Sequence, residues 1–311
     1  ILYGAHVPGL TAEIDDLDDA RFHVQRMKDV GAISVKSYQQ PRREQRQQIL
    51  AAGRELGIMV VPEGGGKFQN NMNMIVDGHT GIEHAIPIAS GYDDVKQLWS
   101  QTAVGYTPTF VVAYGGLAGE NFWYDRTNVW ENEHLMRYTP RRFVEPRSIR
   151  RPKAPDMHYN HFHVARFAKE LRDLGVGVYI GAHGQLDGLA AHWEMWMMEQ
   201  GGFTPWEALR GGTIDGARYL GMDADIGSIE AGKLADLAII EGNPLDDLRQ
   251  SERVTHTMIN GRLYDTATMN QIAPDQVERG EFFFEKAGGD TIHPGTRKWL
   301  EKLRAAYGWE H

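Results

Sequence analysis

The 311 residues are enough to bury a large core, and 41% hydrophobic and 24% charged residues are typical of a globular protein. A net charge of -9 argues against a nucleic-acid partner, because the chain lacks the broad basic surface that would neutralise phosphates. The chain has no cysteine, which excludes thiolate catalysis, disulfides and cysteine metal sites, and no apolar run reaches the length of a membrane span.

Helices and strands are predicted to alternate up to residue 113. Apolar side chains at helical spacing predict a helix over residues 17–30, closed by Gly31. The elements predicted next are strand 32–38, helix 41–56, strand 58–63, helix 67–77, strand 78–84, helix 93–102 and strand 106–113. A strand–helix unit of about thirty residues predicts a parallel sheet with right-handed crossovers.

Residues 117–157 interrupt this alternation. They are rich in Trp, Asn, Arg and Pro, and we interpret them as a long insertion over one end of the sheet, where substrate-facing loops usually lie. The basic stretch from Arg137 to Lys153, interleaved with prolines, is predicted to be a solvated connection, with an anion-binding edge as the less favoured alternative. The elements predicted after it are helix 161–174, a short apolar strand 176–180 that leads to His183, and helix 186–200.

Beyond Gly221 the pattern changes to short β elements. Tight turns, strands over residues 234–240 and 254–259, and the dipeptide Asn260-Gly261 predict a small β appendage. From Thr266 onward the chain is predicted to be a polar tail with one helix over residues 296–307.

Four predicted strands end near side chains suited to metal or acid–base chemistry: Lys36, Glu63, His84 and His183. Because the carboxyl ends of parallel strands share one rim, we expect these side chains to lie close together. Imidazole and carboxylate groups suit zinc, and carboxylates also suit manganese or iron. A single histidine at a strand end is more often a hydrogen-bonded structural residue. Four polar side chains of these types at one rim nevertheless favour a metal or catalytic site.

Three other motifs are weaker. The pair His161 and His163 precedes a helix in which residues two apart point to different faces, so it is predicted to be a poor chelate. The glycines before Lys67 resemble half of a phosphate loop, but Phe68 stands where Ser or Thr would hold magnesium. No G-x-S-x-G motif is present, which argues against an α/β-hydrolase serine nucleophile.

The run ALRGGTIDGARYLGMDADIGSIEAGKLADLAIIEGNPLDDL, within residues 208–265, resembles the carboxyl end of the amidohydrolase superfamily, in its imidazolonepropionase-like branch. The runs SVKSY, DGHTGIEHA, GYTPTFVVAYGG and GAHGQLDGLAAHWEMW further resemble the subgroup in which this barrel follows a propeller of the Tol biopolymer type. The resemblance covers roughly residues 1–265.

This resemblance implies an α/β fold: a partial (β/α)₈ TIM-type barrel with a small C-terminal β-sandwich portion. Residues 1–222 would form barrel strands 4–8 with their helices and a lid-like insertion over residues 117–157. Residues 223–265 would form the partial β-sandwich, and residues 266–311 a C-terminal tail with a helix.

The resemblance also implies a divalent metal, zinc with manganese or iron as alternatives. The family's carboxylated lysine, which bridges two metals from the fourth strand, matches Lys36, and its sixth-strand histidine matches His84. Glu63 stands at the place of the fifth-strand histidine. His183 replaces the eighth-strand aspartate that takes a proton from metal-bound water, and an imidazole can serve as that base near neutral pH. Lys36, Glu63, His84 and His183 are therefore the predicted metal ligands, with His183 also the predicted catalytic base.

The chain begins about where the third strand of the family should finish. The family's first strand supplies an H-x-H pair, and eight strands are needed to close the barrel, whereas five strand ends can be counted here. We therefore expect a missing N-terminal part of the same protein, an open sheet edge and exposed apolar surface. On this view the chain alone can lack its metal.

By resemblance, the function is metal-dependent hydrolysis of a C–N amide-type bond in a peptide, cyclic amide or related small molecule, with metal-activated water as the nucleophile. Tyr114, Trp123 and Tyr124 are candidate substrate contacts, although aromatic packing is the better single explanation for each. A non-catalytic barrel module with a binding or assembly role and a metal-independent lyase or isomerase are the alternatives. A second copy of the chain, in a homo-oligomer, is a further candidate partner. The sequence does not indicate a cellular location.

Overall fold

Two regions make up the structure, an α/β body followed by a C-terminal antiparallel sheet. The structure is a computed structural model, and it describes residues 2–3, 12–38, 40–88, 90–286 and 302. Apart from residue 302, the predicted helix over residues 296–307 lies outside this described part. None of the described helices has the length and apolar character needed to cross a membrane.

The strands and helices are listed in chain order. The strands are β1 (Leu2–Tyr3), β2 (Ser34–Tyr38), β3 (Met59–Pro62), β4 (Gly81–Glu83), β5 (Gly105–Thr107), β6 (Leu237–Ile240), β7 (Val254–Ile259), β8 (Arg262–Asp265) and β9 (Gln271–Ala273). The helices are α1 (Leu17–Asp29), α2 (Arg43–Leu56), α3 (Phe68–Asp77), α4 (Asp93–Ser100), α5 (Gly119–Arg126), α6 (Glu133–Tyr138), α7 (Arg141–Ile149), α8 (His161–Asp173), α9 (Leu189–Gln200), α10 (Pro205–Gly211), α11 (Ile214–Tyr219) and α12 (Phe283–Lys286).

The strands of the body are all parallel. β1 pairs with β2 and β2 with β3, while β4 pairs with β5. Single bridges between Glu63 and Glu83 and between Tyr106 and Val178 join these pairs and add the segment around Val178 as a sixth member. Among the described residues the result is an open arc and no closed barrel, with β1 at one edge and the Val178 segment at the other.

Local sequence explains the elements around β2 and β3. The Asp16 carboxylate caps α1 by accepting hydrogen bonds from the backbone N–H groups of Asp18 and Asp19. Gly57 ends α2 in the left-handed conformation, with φ 65°, that glycine adopts without strain. The buried faces of these two helices form a small core against β2 and β3.

A second and larger core lies between α4, α5, α8, α9 and β5. Its largest fully buried side chains include Trp99, Trp123 and Trp193. The aromatic and methionine side chains of α9 pack here, as its sequence predicts. This core fixes β5 and the Val178 segment beside each other.

Two predicted elements of the body are corrected. The strand over residues 106–113 ends at Thr107, and a 3₁₀ turn over Phe110–Val112 follows, because the buried Glu194 carboxylate accepts the backbone N–H of Val111 at 2.7 Å. The predicted strand 176–180 is reduced to the bridge at Val178, since one side of this segment has no strand partner in the described part of the chain.

The insertion is also more ordered than predicted. In place of a solvated connection, α7 presents arginines outward and buries Val144 and Ser148. Helices α5, α6 and α7 therefore pack against the larger core.

The C-terminal sheet contains four antiparallel strands in the order β6-β7-β8-β9. It continues to Ala273, past the point at which the sequence suggested a polar tail. The connection after β8 is a tight turn in which the Asp265 carboxylate accepts hydrogen bonds from Thr268 N–H and Oγ1, both at 2.8 Å. The Tyr138 hydroxyl donates to the Ala267 carbonyl at 2.6 Å, which fastens this turn to α6.

Candidate functional site

Side chains from the ends of β2, β3 and β4 and from the turn after the Val178 segment meet at the carboxyl rim of the arc. Lys36 Nζ lies 2.5 Å from Glu63 Oε2, and Glu63 Oε1 lies 3.9 Å from His84 Nε2. The rings of His84 and His183 meet edge to face, with centroids 4.9 Å apart. The structure thus brings together the four side chains that the sequence singled out.

The two histidines of this rim have an uncommon backbone. His84 has φ 70° and His183 has φ 55°, both in the left-handed region that non-glycine residues rarely adopt. The His84 N–H is held by the Thr107 carbonyl at 2.9 Å. Such conformations turn the chain sharply at the strand end and aim the side chain across the rim.

His84 is the most buried ligand candidate. Burial is the main cause that lowers its pKa, His183 and Lys36 lower it further, and Glu63 opposes them. Its Nδ1 is buried and has no hydrogen-bond partner in the described part of the chain. A neutral imidazole with a free lone pair is the form that binds metal.

Glu83, one residue before His84, is a carboxylate that the sequence analysis did not select. It accepts hydrogen bonds from the Tyr219 hydroxyl at 2.8 Å and from Thr107 Oγ1 at 3.3 Å. Burial raises its pKa, against these two hydrogen bonds and the charge of Lys36. The signal available in the sequence was a single acidic residue within an otherwise apolar strand.

The three aromatic candidates for substrate contact lie in different places. Tyr114 is 36% exposed and stacks on the His84 ring at 5.7 Å, so it borders the rim. Trp123 is 0% and Tyr124 1% exposed, and Trp123 packs on Trp193 and Trp196. The observed role of Trp123 and Tyr124 is core packing, and their contact with substrate stays a prediction.

A cleft of about 520 Å³ opens beside Tyr114. The Tyr114 carbonyl accepts a hydrogen bond from the side chain of Asn160, one of the residues that line the cleft. The lining residues are Gly115, Gly116, Leu117, Met157, His158, Asn160 and His163.

His183 contacts a group of side chains from the insertion that the sequence did not indicate. Its Nδ1 lies 3.2 Å from Gln185 Oε1. Gln185 also hydrogen-bonds the Glu120 carboxylate of α5, and the Arg147 guanidinium of α7 lies 3.7 Å from Glu120. Glu120 and Arg147 are far from His183 in sequence, and nothing local marks them.

Glu194 is a second residue that the sequence did not indicate. It is fully buried in α9, and its carboxylate accepts backbone N–H groups from Val111 at 2.7 Å and from Gly181 at 3.4 Å. Burial raises its pKa to about 8, although these hydrogen bonds favour the charged form. Glu194 therefore ties the end of β5 to the backbone that leads into His183.

The donor atoms at the rim fit a divalent metal in chemical type. Glu63 supplies carboxylate oxygens, and His84 and His183 supply imidazole nitrogens. In the described residues no three His, Cys, Asp or Glu side chains form a ready ligand set. The Lys36 ammonium pairs with Glu63 and would compete with a cation for it.

The two weaker motifs engage other partners. His161 Nε2 pairs with Gln200 Oε1 at 3.0 Å, whereas His163 Nδ1 accepts a hydrogen bond from Arg166 at 2.8 Å. In the glycine loop, the N–H groups of Gly64 and Gly65 donate to the Glu83 carbonyl and to Asn71 Oδ1. These contacts leave neither motif arranged as a ligand site.

Comparison with known proteins identifies one family. Residues 145–264 match the sequence model of the Amidohydrolase family. The chain is 34% identical to a 5'-deoxyadenosine deaminase from Methanobrevibacter smithii over 103 residues, which are 32% of this chain and 23% of that protein. It is 31% identical to an ochratoxinase from Aspergillus niger over 94 residues, 29% of this chain and 20% of that protein.

Solved structures show the same fold. The crystal structure of A. niger ochratoxinase superimposes with a TM-score of 0.58 at 21% identity, over 84% of this chain and 58% of that chain. A putative prolidase from Bifidobacterium longum gives a TM-score of 0.57 at 19% identity, over 97% and 67%. The chain thus matches less than a quarter of the length of the curated relatives and just over half of the ochratoxinase structure.

These findings confirm the family that the carboxyl-terminal motif indicated, while the Tol-type subgroup stays a prediction. The sequence match lies in the part of the chain that carries α8, the Val178 segment and His183. The structural likeness extends over 97% of the chain for the putative prolidase and 84% for the ochratoxinase. Over residues 145–264 the chain is similar to the Amidohydrolase family, and the relatives and solved structures that resemble it support a place in the amidohydrolase superfamily.

Proposed function

We propose that this protein is a metal-dependent hydrolase of C–N amide-type bonds. The observation that carries the proposal is the meeting of Lys36, Glu63, His84 and His183 at one rim of an amidohydrolase-type chain. Relatives named as a deaminase, an ochratoxinase and a putative prolidase support hydrolytic chemistry. The substrate would be a small amide or a peptide that enters beside Tyr114.

In this proposal the arc is part of a (β/α)₈ barrel. β1 to β5 and the Val178 segment would be six consecutive barrel strands, with the insertion as a lid. The open arc and the greater length of the ochratoxinase structure support further strands from another part of the same protein. Those strands would add ligands to the rim.

Glu63 and His84 would hold the metal, with Lys36 joining them in its carboxylated form. A bound zinc, manganese or iron ion would supply Lewis-acid activation of water and of the scissile carbonyl. Carboxylation of Lys36 would turn the ammonium that now pairs with Glu63 into an anionic ligand. Tyr114, stacked on His84, would keep that ring in place.

His183 would move the proton. Its Nε2 is the ring nitrogen that does not face Gln185, so it would accept the proton of the attacking water. The same atom would then return the proton to the leaving nitrogen. An imidazole suits both steps near neutral pH.

Chelation and metal rescue test the proposal. The purified protein is assayed with Met-Pro, an N-acetyl amino acid and a cyclic amide, before and after chelator treatment and after addition of zinc, manganese or iron. We expect hydrolysis that chelation abolishes and metal restores, lost in His84→Ala and kept in His134→Ala, an exposed control.

Two outcomes would contradict the proposal. Absence of hydrolysis with every metal would favour a non-catalytic module, for which the engagement of Glu63 by Lys36 is the supporting observation. Turnover that survives chelation would favour a metal-independent lyase or isomerase.

A further inference from the structure

A tight turn presents His183 to its neighbours. The Gln185 N–H donates to the Ala182 carbonyl at 3.2 Å, and the two residues between them, His183 and Gly184, are both left-handed. This geometry places the side chains of His183 and Gln185 side by side, with Nδ1 and Oε1 3.2 Å apart. The backbone of the turn therefore decides which ring nitrogen faces Gln185.

The chemistry of the partners fixes the direction of each hydrogen bond. A carboxylate only accepts, so Gln185 must present its NH₂ group to Glu120 and its Oε1 to His183. A carbonyl oxygen also only accepts, so the His183 nitrogen that faces it must carry the proton. The proton of neutral His183 then lies on Nδ1, and the Nε2 lone pair is free.

Glu120 is itself held by the insertion. Its side chain is 12% exposed. Burial raises the pKa of the Glu120 carboxyl, and the Arg147 guanidinium, whose Nε lies 3.7 Å from Oε2, opposes this rise and favours the charged, accepting form. Arg147 Nη1 also donates to the Gln185 carbonyl at 3.4 Å and to the Phe143 carbonyl at 3.2 Å. Glu120 of α5 thus contacts the side chain of Gln185, and Arg147 of α7 contacts its backbone carbonyl.

We infer that Gln185 and Glu120 are positioning residues that hold neutral His183 in its Nδ1–H tautomer. In this tautomer the lone pair of Nε2 is free to accept a proton. The role of that acceptor in catalysis rests on the proposed function, whereas the tautomer does not. Imidazole in water favours the opposite tautomer, so the protein imposes this one. Movement of the insertion would release His183 and disable the base.

Nuclear magnetic resonance of the full chain labelled with ¹⁵N-histidine at about pH 8 tests the tautomer, because protonated and unprotonated ring nitrogens have well-separated shifts. His183→Ala identifies the signals. We expect a protonated Nδ1 in the wild type and a shift of the proton toward Nε2 in Gln185→Leu. Gln200→Leu, which removes the glutamine that pairs with His161, is the matched control and should leave the His183 signals unchanged.

A paired substitution separates positioning from simple structural damage. Gln185→Glu places two carboxylates together and should disturb the His183 signals. The double variant Gln185→Glu with Glu120→Gln keeps an acceptor oxygen facing His183 Nδ1–H, and the amide introduced at position 120 donates to the carboxylate at position 185, so this variant should restore the signals. With a substrate that the wild type hydrolyses, Gln185→Leu should lower kcat by about 10- to 100-fold with little change in KM. The double variant should recover most of this loss.

A wild-type His183 with its proton on Nε2, or an Nδ1–H tautomer that persists in Gln185→Leu, would overturn the inference. Failure of the double variant to restore the signals, with unfolding temperatures unchanged, would overturn it as well. If the tautomer responds as expected but no amide is hydrolysed, the proposed function fails and the positioning of His183 stands.

Discussion

His84 and His183 both have a strained backbone conformation at this rim. Each occupies a left-handed backbone conformation that costs a non-glycine residue on the order of 1–3 kcal/mol. Each is also fixed by hydrogen bonds, His84 through Thr107 and the His183 turn through Ala182. Strain of this kind persists where the surrounding structure holds it, and here it brings the two imidazoles to 4.9 Å between ring centroids.

Substitution of the aromatic candidates should separate packing from substrate contact. Trp123→Ala should lower the free energy of unfolding by about 3–5 kcal/mol, because it leaves a cavity among Trp193, Trp196 and the Arg249 guanidinium that stacks on Trp123. Tyr114→Ala should cost about 1 kcal/mol or less and raise the KM of any substrate. Urea unfolding and steady-state kinetics measure both quantities. A Trp123→Ala protein of unchanged stability with weakened substrate binding would contradict this assignment.

Glu194 should make stability depend on pH. Burial raises the pKa of its carboxyl from 4.5 to about 8, so the folded state binds this proton more tightly than the unfolded chain. The group's contribution is fully present below about pH 4.5 and is lost as pH rises through about 8, by up to about 1.4 kcal/mol per pH unit.

Glu194→Gln removes this titration. The stability of the wild type relative to Glu194→Gln should therefore fall between about pH 6 and about pH 8, as measured by urea unfolding. Glu44→Gln, at an exposed position of α2, is the control and should show no such trend. A difference between wild type and Glu194→Gln that does not change with pH would disprove the predicted role of this carboxyl.

At the scale of elements, β4 packs closely against Tyr219 of α11 because position 81 of the strand is a glycine. Gly81 faces the Tyr219 ring, whose hydroxyl bonds Glu83 and whose face stacks on Tyr179 at 4.4 Å. A Cβ at position 81 would overlap the Tyr219 hydroxyl. The missing side chain therefore gives Tyr219 the space it needs to reach Glu83.

Gly81→Ala should lower the free energy of unfolding by about 1–3 kcal/mol because the Tyr219 ring must move. Gly65→Ala, where an added Cβ would meet nothing within 4 Å, is the matched control and should have a small effect. Thermal unfolding of both variants measures the difference. Equal stability of the two variants would show that Tyr219 does not fill this space.

The sequence predicted the elements that depend on local signals. Glycines and apolar alternation placed the ends of β2, β3 and β4, and with them Lys36, Glu63 and His84. The end of β5 was missed because it depends on Glu194, 83 residues from Val111. The contact of Gln185 with Glu120 was missed for the same reason, since it joins a turn to a helix of the insertion that no local pattern connects.

At the scale of the whole molecule, the parallel arc and the C-terminal sheet are joined through helices. Trp196 of α9 donates to the Leu248 carbonyl at 2.9 Å and Tyr138 of α6 to Ala267, so both contacts link the sheet to helices that border the larger core. The same core holds Glu194 and the backbone before His183. The rim is thus supported from the core side by α9 and from the insertion side by Glu120 and Arg147.

Zinc binding to the chelator-treated protein, followed by calorimetry, tests the central claim most directly. The account predicts saturable uptake of at least one zinc ion per chain, lost in His84→Ala and in Glu63→Gln and kept in His134→Ala. Sub-stoichiometric uptake of zinc, manganese and iron by the wild type, or saturable uptake that His84→Ala and Glu63→Gln leave unchanged, would contradict a metal site at the rim of Lys36, Glu63, His84 and His183.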